Sequence, residues 1–337
     1  MSESTPVLVG GPSAEAARAG GLANARRGVG MSGGGPRRTP APAGSRRRPV
    51  LTARTLTLLA FALPSVFLLV LINVYPVVYA FVQSLRDGSL IDAGPFVGGK
   101  NYVDVLTSPA FAQAVGFTVT FTLVGVFGSW LVGLGLALLL RTRIPAGGLF
   151  KVLLLMPWIV PVVVSATSWN WLVATPQSPL PVLAKALGFG DVLFLADPTL
   201  AQITVCVFKV WVSFPFMMMM ISSALAAVDT NVYEAAKVDG ATPWQSFRLI
   251  TMPLIARTTY ISWILMTIFC VNDFPTIFLL TGGGPVNATT SLVVLAYQMV
   301  FQNFQTGPGV AIAFLMTAVL VVVSVVLYRQ IRKVDVE

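Results

Sequence analysis

The stretch YEAAKVDGATPWQSFRLITMPLI, from Tyr233 to Ile255, is a polar interruption in a very apolar part of the chain. Residues 229–231, Asp-Thr-Asn, are all able to cap a helix, and the helix formers that follow lead to Gly240, which can end one. A second helix is predicted after Thr242, because Pro243 is favoured in a first helical turn. The stretch therefore predicts two helices separated by a glycine, and its meaning depends on the apolar segments on either side.

The composition of the whole chain indicates a membrane protein. Of its 337 residues, 55% are hydrophobic and only 10% are charged, whereas a soluble domain carries about 25% charged residues. The chain has no histidine, the commonest general base and metal ligand, so enzymatic chemistry is not indicated. Cys206 and Cys270 lie in separate apolar runs and are expected to be buried apolar residues rather than disulfide partners or metal ligands.

Six stretches have the roughly 20 apolar residues that a helix needs to cross the hydrocarbon layer. They predict an all-α membrane protein with six transmembrane helices, at residues 56–82, 114–140, 149–174, 200–226, 258–280 and 308–329. Prolines inside several of these stretches predict bent helices, which suit a transport cavity better than a rigid anchor. The prolines are Pro64, Pro76, Pro157, Pro161, Pro215 and Pro275.

The basic residues predict the orientation of the helices, because cytoplasmic connections carry an excess of Lys and Arg. Placing both termini in the cytoplasm (N-in/C-in) leaves 18 of the 22 basic residues on that side. Residues 229–257 then form a cytoplasmic loop between helices 4 and 5, with both predicted short helices lying at the membrane surface.

Residues 1–50 are rich in Gly, Pro, Ala and Arg, lack apolar periodicity and are predicted to be a disordered cytoplasmic tail. Their arginines allow two interpretations, nucleic-acid binding or retention of the first helix end in the cytoplasm against anionic lipid. We prefer the second, which makes membrane lipid an expected partner and nucleic acid not one.

The loop resembles a pattern of permease subunits in binding-protein-dependent ABC importers. The pattern is carried by Glu234-Ala235-Ala236, Gly240, Ile250 and Pro253, with Met252 where the family usually has Leu. Residues 96–111, 153–172 and 274–304 are similar to segments of carbohydrate-type permeases, the last to the first permease of maltose and glycerol-3-phosphate importers. The resemblance makes residues 51–337 an importer transmembrane domain with a coupling helix between helices 4 and 5.

The resemblance also implies the partners. Glu234, Ala235, Ala236, Asp239 and Gly240 would contact a dimeric cytoplasmic ABC ATPase, where the glutamate would pair with a basic residue. A second homologous permease and an extracytoplasmic substrate-binding protein or lipoprotein would complete a complex in the bacterial cytoplasmic (inner) membrane. The chain has no G-x-x-x-x-G-K-[ST] phosphate loop, so ATP and Mg are expected on the ATPase and no cofactor on this chain. The glycine cluster at residues 281–285 is predicted to be a turn.

Polar residues inside the predicted spans are candidates for a substrate pathway, because they are costly in a membrane. Within the spans they are Trp169, Asn170, Trp171, Lys209, Trp211, Ser213, Asn272, Asp273 and Thr276, and Tyr297 and Gln298 follow just after the fifth span. The alternative is that they form hydrogen bonds between helices. Lys209 either neutralises Asp273 or binds an anionic substrate, and the sequence leaves both open.

The sequence therefore predicts half of an ATP-driven importer for a sugar, a di- or oligosaccharide in the first place. Glycerol-3-phosphate or a glycerophosphodiester is the alternative substrate. A secondary transporter is a weaker alternative, because only Asp273 and Lys209 are charged at depth and no histidine is available for ion coupling.

Overall fold

The computed structural model describes residues 53–141 and 145–334. Residues 53–60 are the described part of one unit, and the residues from Phe61 onward form a second. The predicted disordered tail, residues 1–50, lies outside the described residues. Within the described ranges there is no β-strand, and a single antiparallel bridge joins Arg86 to Phe96.

Five described helices are long and apolar enough to cross a membrane, and a bent pair of helices makes a sixth when the pair is counted as one span. The six predicted apolar segments are thus confirmed as helical, whereas the N-in/C-in orientation stays a prediction. Spans 1 to 6 are Ala60–Ser84, in a helical segment that begins at Ala53; Pro109–Arg141; Gly147–Ile159 with Val162–Val173; Pro198–Ala226; Pro243–Val271; and Thr306–Gln330, in a helix that ends at Val334.

Shorter helices lie in the connections. They are Lys100–Thr107 between spans 1 and 2, Pro179–Ala186 between spans 3 and 4, Thr230–Val238 in the predicted cytoplasmic loop, Phe274–Thr281 after span 5, and Leu292–Gln302 before span 6. Four five-residue π-helical segments interrupt the longer helices, at Val70–Val74, Val124–Gly128, Phe247–Thr251 and Gln298–Gln302. Such segments change the direction in which side chains leave a helix and often occur at functional sites.

Span 4 forms the centre of the described helices and is the most buried of the spans. Its closest neighbour is span 2, where an added Cβ at Gly133 would lie 2.7 Å from the backbone nitrogen of Met218. Both cysteines lie in the core as free, buried residues, as expected from their apolar surroundings. In contrast, no residue in the most apolar stretch of span 1 is buried within the chain.

Span 3 is bent by 91° between Ile159 and Val162. Val160 adopts an extended conformation, with ψ of 132°, because the ring of Pro161 disfavours a helical conformation in the residue before it. The single predicted helix over residues 149–174 is therefore two helices at nearly a right angle.

Span 5 corrects two predictions about where helices begin and end. It starts at Pro243, so the second short helix expected at the membrane surface is instead the beginning of the span. It also ends at Val271, well before residue 280, because Asp273 leaves the helical conformation and caps a new helix, Phe274–Thr281. Pro275 lies in the first turn of that new helix, where a missing N–H costs no hydrogen bond.

Residues 281–285 form the predicted turn, in which Gly282 and Gly283 have φ values of 61° and 95°. The hydroxyl of Thr289 donates to the carbonyl oxygen of Gly284, and that of Thr290 to the carbonyl oxygen of Gly283. Both threonines are buried. The turn is therefore tightly fixed within the helical assembly.

Candidate functional site

The short helix Thr230–Val238, which we name the coupling helix after its predicted role, has a well-defined cap at each end. The Asp229 carboxylate accepts from the backbone N–H of Asn231 at 2.9 Å, as a helix cap does. At the other end Gly240 has a φ of 79°, a conformation that glycine adopts without strain. Span 5 begins two residues later with a capping box between Thr242 and Gln245, so the coupling helix and span 5 are separated only by a short, well-defined turn.

The coupling helix presents one face to solvent and one to the rest of the chain. Glu234 and Ala235 are exposed, whereas Ala236 is buried. Val238, one helical turn after Glu234, is 88% exposed, an unusual position for an aliphatic side chain. Asp239 ends the helix and is exposed as well. The exposed face therefore combines a carboxylate with small and apolar side chains, which suits contact with another protein.

Tyr233 attaches the coupling helix to two spans. The guanidinium carbon of Arg141, at the end of span 2, lies 4.2 Å from the centre of the Tyr233 ring. The Tyr233 hydroxyl lies 3.2 Å from the hydroxyl of Thr251, in the π-helical segment of span 5. The orientation of the coupling helix is therefore linked to spans 2 and 5 by one side chain.

A second candidate site is a cavity of about 470 Å³ where spans 3, 4 and 5 meet, which we call the span-break cavity. Its lining comes from residues 158–162 at the bend of span 3, from Lys209, Val212 and Ser213 of span 4, and from Phe269, Asn272, Asp273, Pro275 and Thr276 around the break in span 5. The volume is within the range of small-molecule sites, about 300–1,000 Å³. The bend of span 3 and the break at the end of span 5 therefore border the same cavity.

The two charged residues of this lining form an ion pair. Lys209 Nζ lies 2.7 Å from one carboxylate oxygen of Asp273, and both side chains are less than a tenth exposed. The other carboxylate oxygen accepts from the backbone N–H of Thr276 at 3.0 Å and so caps the helix after the break. Of the two roles left open for Lys209, the structure shows the neutralisation of Asp273.

The Lys209 side chain occupies the space that Gly125 of span 2 leaves free, and so it reaches Asp273. Gly125, in the π-helical segment Val124–Gly128, leaves room for it, since an added Cβ would lie 3.2 Å from Lys209 Cγ and 2.7 Å from Cys270 Sγ. The Lys209 ammonium also lies 5.9 Å from the centre of the Phe121 ring. The ion pair is therefore enclosed by groups from three spans.

The other predicted pathway residues divide into two groups. Asn272 and Thr276 line the span-break cavity beside Asp273; Asn272 is exposed and Thr276 is buried. Asn170 and Gln298 lie elsewhere and donate to the carbonyl oxygens of Leu280 and Gly282, both at 3.3 Å. Trp169 packs against Phe208 and Trp211 in the core. The substrate role of these last three stays a prediction, and their contacts here are with other helices.

Two aromatic residues of the cavity were not among the sequence candidates. Trp158 and Phe269 line it from spans 3 and 5, and each ring packs against Phe216. Aromatic faces beside hydroxyl and amide groups are a combination that can bind a sugar. The signal in the sequence was weak, because Trp158 is one aromatic among many and its position follows only from the bend at Pro161.

Comparisons with known proteins identify the family. A family model described as "Binding-protein-dependent transport system inner membrane component" matches residues 41–336. The trehalose/maltose transport system permease protein MalF of Thermococcus litoralis is 34% identical over 272 residues, which cover 80% of this chain and 92% of the relative. The sulfoquinovosyl glycerol transport system permease protein SmoG of Agrobacterium fabrum is 32% identical over 284 residues, which cover 84% and 92%.

A solved structure has the same fold. A chain from the crystal structure of a bacterial ABC transporter that imports the acidic polysaccharide alginate superposes with a TM-score of 0.73. The match covers 83% of this chain and 96% of the other, at 19% sequence identity.

Proposed function

This chain belongs to the family of inner membrane components of binding-protein-dependent transport systems, and we propose that it forms half of the translocation pathway of an ATP-driven sugar importer. As a member of that family, the chain is a multi-pass permease of the inner membrane. The proposal extends to what it carries, a di- or oligosaccharide delivered by an extracytoplasmic binding protein. The observation that carries it is the span-break cavity, which combines polar and aromatic side chains at two helix breaks.

The chemistry of this cavity favours a sugar over a phosphate-bearing substrate. Sugars present hydroxyl groups and apolar C–H faces, and the lining offers Ser213, Asn272 and Thr276 together with Trp158 and Phe269. A glycerol-3-phosphate importer would need a cation for the phosphate, and the ammonium in the described lining is already paired with Asp273. A relative named for the transport of trehalose and maltose supports the same class of substrate.

The energy would come from a partner. The sequence has no phosphate loop of the G-x-x-x-x-G-K-[ST] type, so we assign ATP and Mg to a dimeric cytoplasmic ATPase. The docking surface would be the exposed face of the coupling helix, with Glu234 and Ala235 at its centre and Asp239 and Gly240 at its end; the buried Ala236 would let the helix lie close to the spans. Among the described residues Glu234 forms no ion pair, so its charge is available to a basic residue of the ATPase.

Two further subunits complete the proposal. A second homologous permease would provide the other half of the pathway, and the apolar surface of span 1, which none of the described chain buries, needs either that subunit or lipid around it. The binding protein would contact residues 83–113 and 175–199, which the predicted N-in/C-in orientation places on the side opposite the cytoplasm.

The test is purification and transport. The tagged chain, expressed with its neighbouring genes, should purify with an ATPase and a second permease, and the complex in proteoliposomes should take up a neutral disaccharide only with ATP and the binding protein. Uptake driven by a proton or sodium gradient in the absence of ATP would instead make the chain a secondary transporter and refute the proposal.

A further inference from the structure

We infer that the Lys209–Asp273 ion pair sets the charge selectivity of the span-break cavity. By leaving the lining with no net charge, the pair makes the cavity accept uncharged sugars and discriminate against anionic ones. The inference rests on the proposed function, because it assumes that the substrate passes through this cavity.

The ion pair lies in the wall of the span-break cavity. Both charged side chains belong to the cavity lining, and the described lining contains no other ionisable carboxylate or ammonium. Their separation of 2.7 Å makes them a hydrogen-bonded ion pair, and both are nearly excluded from solvent. A ligand in the cavity would therefore meet two charges that cancel, at a depth where an uncancelled charge acts strongly because little water screens it.

The cavity lining also has hydrogen-bonding groups that the ion pair does not use. The ammonium has three N–H donors, and its described hydrogen bond is the single one to Asp273. Ser213 lies one helical turn after Lys209 on the same face of span 4, is 1% exposed, and its hydroxyl has no hydrogen-bond partner within the described residues. A buried hydroxyl without a partner is unfavourable, so a small movement that opened it to the cavity would let a ligand hydroxyl satisfy it. Together with the exposed amide of Asn272, the lining thus offers hydrogen bonds to neutral hydroxyl groups without offering a free charge.

The substitution Asp273→Asn removes one charge of the ion pair. It leaves the Lys209 ammonium without its counterion, so the carboxylate of an anionic ligand can take the place of the lost one and keep the amine protonated. The amide oxygen of the new side chain can still accept from the Thr276 N–H, so the cap on the helix after the break is kept. The change therefore alters the charge of the cavity more than its shape.

The experiment compares two sugars that differ by one charge. The complete complex is reconstituted with its binding protein and ATP, and uptake per assembled complex is measured for trehalose and for trehalose with one primary alcohol oxidised to a carboxylate. The same binding protein serves every variant, so its own preference cancels when variants are compared. The wild type should favour the neutral sugar, and Asp273→Asn should raise the ratio of carboxylate to neutral uptake by about tenfold or more, the scale of one charge-assisted hydrogen bond.

Two further variants keep the test decisive. Asn272→Lys leaves the ion pair intact and adds an ammonium at an exposed position of the lining, so it should shift the ratio in the same direction even if Asp273→Asn fails to assemble. The matched control is Asp191→Asn, which also removes one carboxylate from an ion pair with a lysine, Lys185, but in an exposed connection outside the cavity. It should leave the ratio unchanged.

The outcomes separate the two proposals. A ratio that stays at the wild-type value in both cavity variants, while the wild type transports trehalose, would overturn this inference and leave the pair as a link between helices. Uptake of a neutral di- or oligosaccharide that depends on neither ATP nor the binding protein would overturn the proposed function itself.

Discussion

Gly125 is the position at which a single methyl group should disturb the candidate site most. An added Cβ would lie 2.7 Å from Cys270 Sγ and 3.2 Å from Lys209 Cγ, whereas non-bonded heavy atoms are comfortable at about 3.5–4.0 Å. Both neighbouring residues are buried, so neither can move into solvent. The overlap with the sulfur is therefore close to 1 Å, and Gly125→Ala should destabilise the protein by about 1–3 kcal/mol, as overpacking of a closely packed interior does.

The same overlap should also affect transport. Relief of the contact at Lys209 Cγ requires a shift of the side chain whose ammonium holds Asp273 at 2.7 Å. A shift of a few tenths of an ångström lengthens that hydrogen bond and loosens the end of span 5. We expect Gly125→Ala to lower both the melting temperature of the purified complex and the sugar uptake per assembled complex.

The chain provides a matched control and a rescue. Gly135 lies in the same span and has no atom within 4 Å of an added Cβ, so Gly135→Ala should be neutral or stabilising by up to about 1 kcal/mol. Cys270→Ala removes the sulfur that the new methyl group meets. In the double variant Gly125→Ala/Cys270→Ala the loss should be smaller than the sum of the two single losses, by about 1 kcal/mol, as a double-mutant cycle measures.

Two results would contradict this reasoning. If Gly125→Ala melts like Gly135→Ala, the close approach of spans 2, 4 and 5 at this position is wrong. If the melting temperature falls but uptake per complex is unchanged, the position of the Lys209 ammonium does not matter for transport.

Three further predictions concern other parts of the chain. Glu234→Lys reverses the charge on the coupling helix, so either the ATPase should no longer purify with the complex or the loaded binding protein should no longer stimulate it. Stimulation at the wild-type level would exclude the docking role. Deletion of residues 1–45 should leave uptake unchanged, because the tail composition cannot form a core, and loss of assembly despite normal insertion would show that the tail binds a partner. Asn272→Ala should lower uptake per complex with little change in melting temperature, since the side chain faces the cavity and its hydrogen bond, to the Ile268 carbonyl oxygen, is exposed and lies within one helical turn. Asn170→Ala should lower the melting temperature, since it loses the bond to Leu280 in another helix, and the reverse pattern would exchange their roles.

The sequence predicted the spans well because hydropathy is a property of long windows. A run of about 20 apolar residues has few alternatives to a membrane helix, and all six runs are helical in the structure. The caps of the coupling helix, at Asp229 and Gly240, were predictable for a similar reason, because each depends on residues close in sequence.

The helix breaks were harder to predict because they depend on contacts distant in sequence. The window that contains Asn272 and Asp273 is apolar enough that hydropathy predicts one uninterrupted helix. The helix nevertheless ends there, because Asp273 meets Lys209, which is 64 positions earlier in the chain, and caps the helix that follows. Sequence left the role of Lys209 open for the same reason, since no local pattern shows that the two charges meet.

The positions of the two candidate sites on the same helices argue for a mechanical connection between them. Span 5 is 29 residues long, or about 43 Å at 1.5 Å per residue, and joins the turn after the coupling helix to the break at Asn272. Span 4, which carries Lys209, ends at Ala226, only four positions before the coupling helix begins. Lys209 therefore lies in the helix that enters the coupling helix, and Asp273 lies two positions beyond the end of the helix that leaves it. Because an α-helix transmits displacement along its axis, a movement of the coupling helix would change the relation of Lys209 to Asp273. A displacement at the proposed ATPase surface would therefore reach the ion pair and, through it, alter the charge of the cavity.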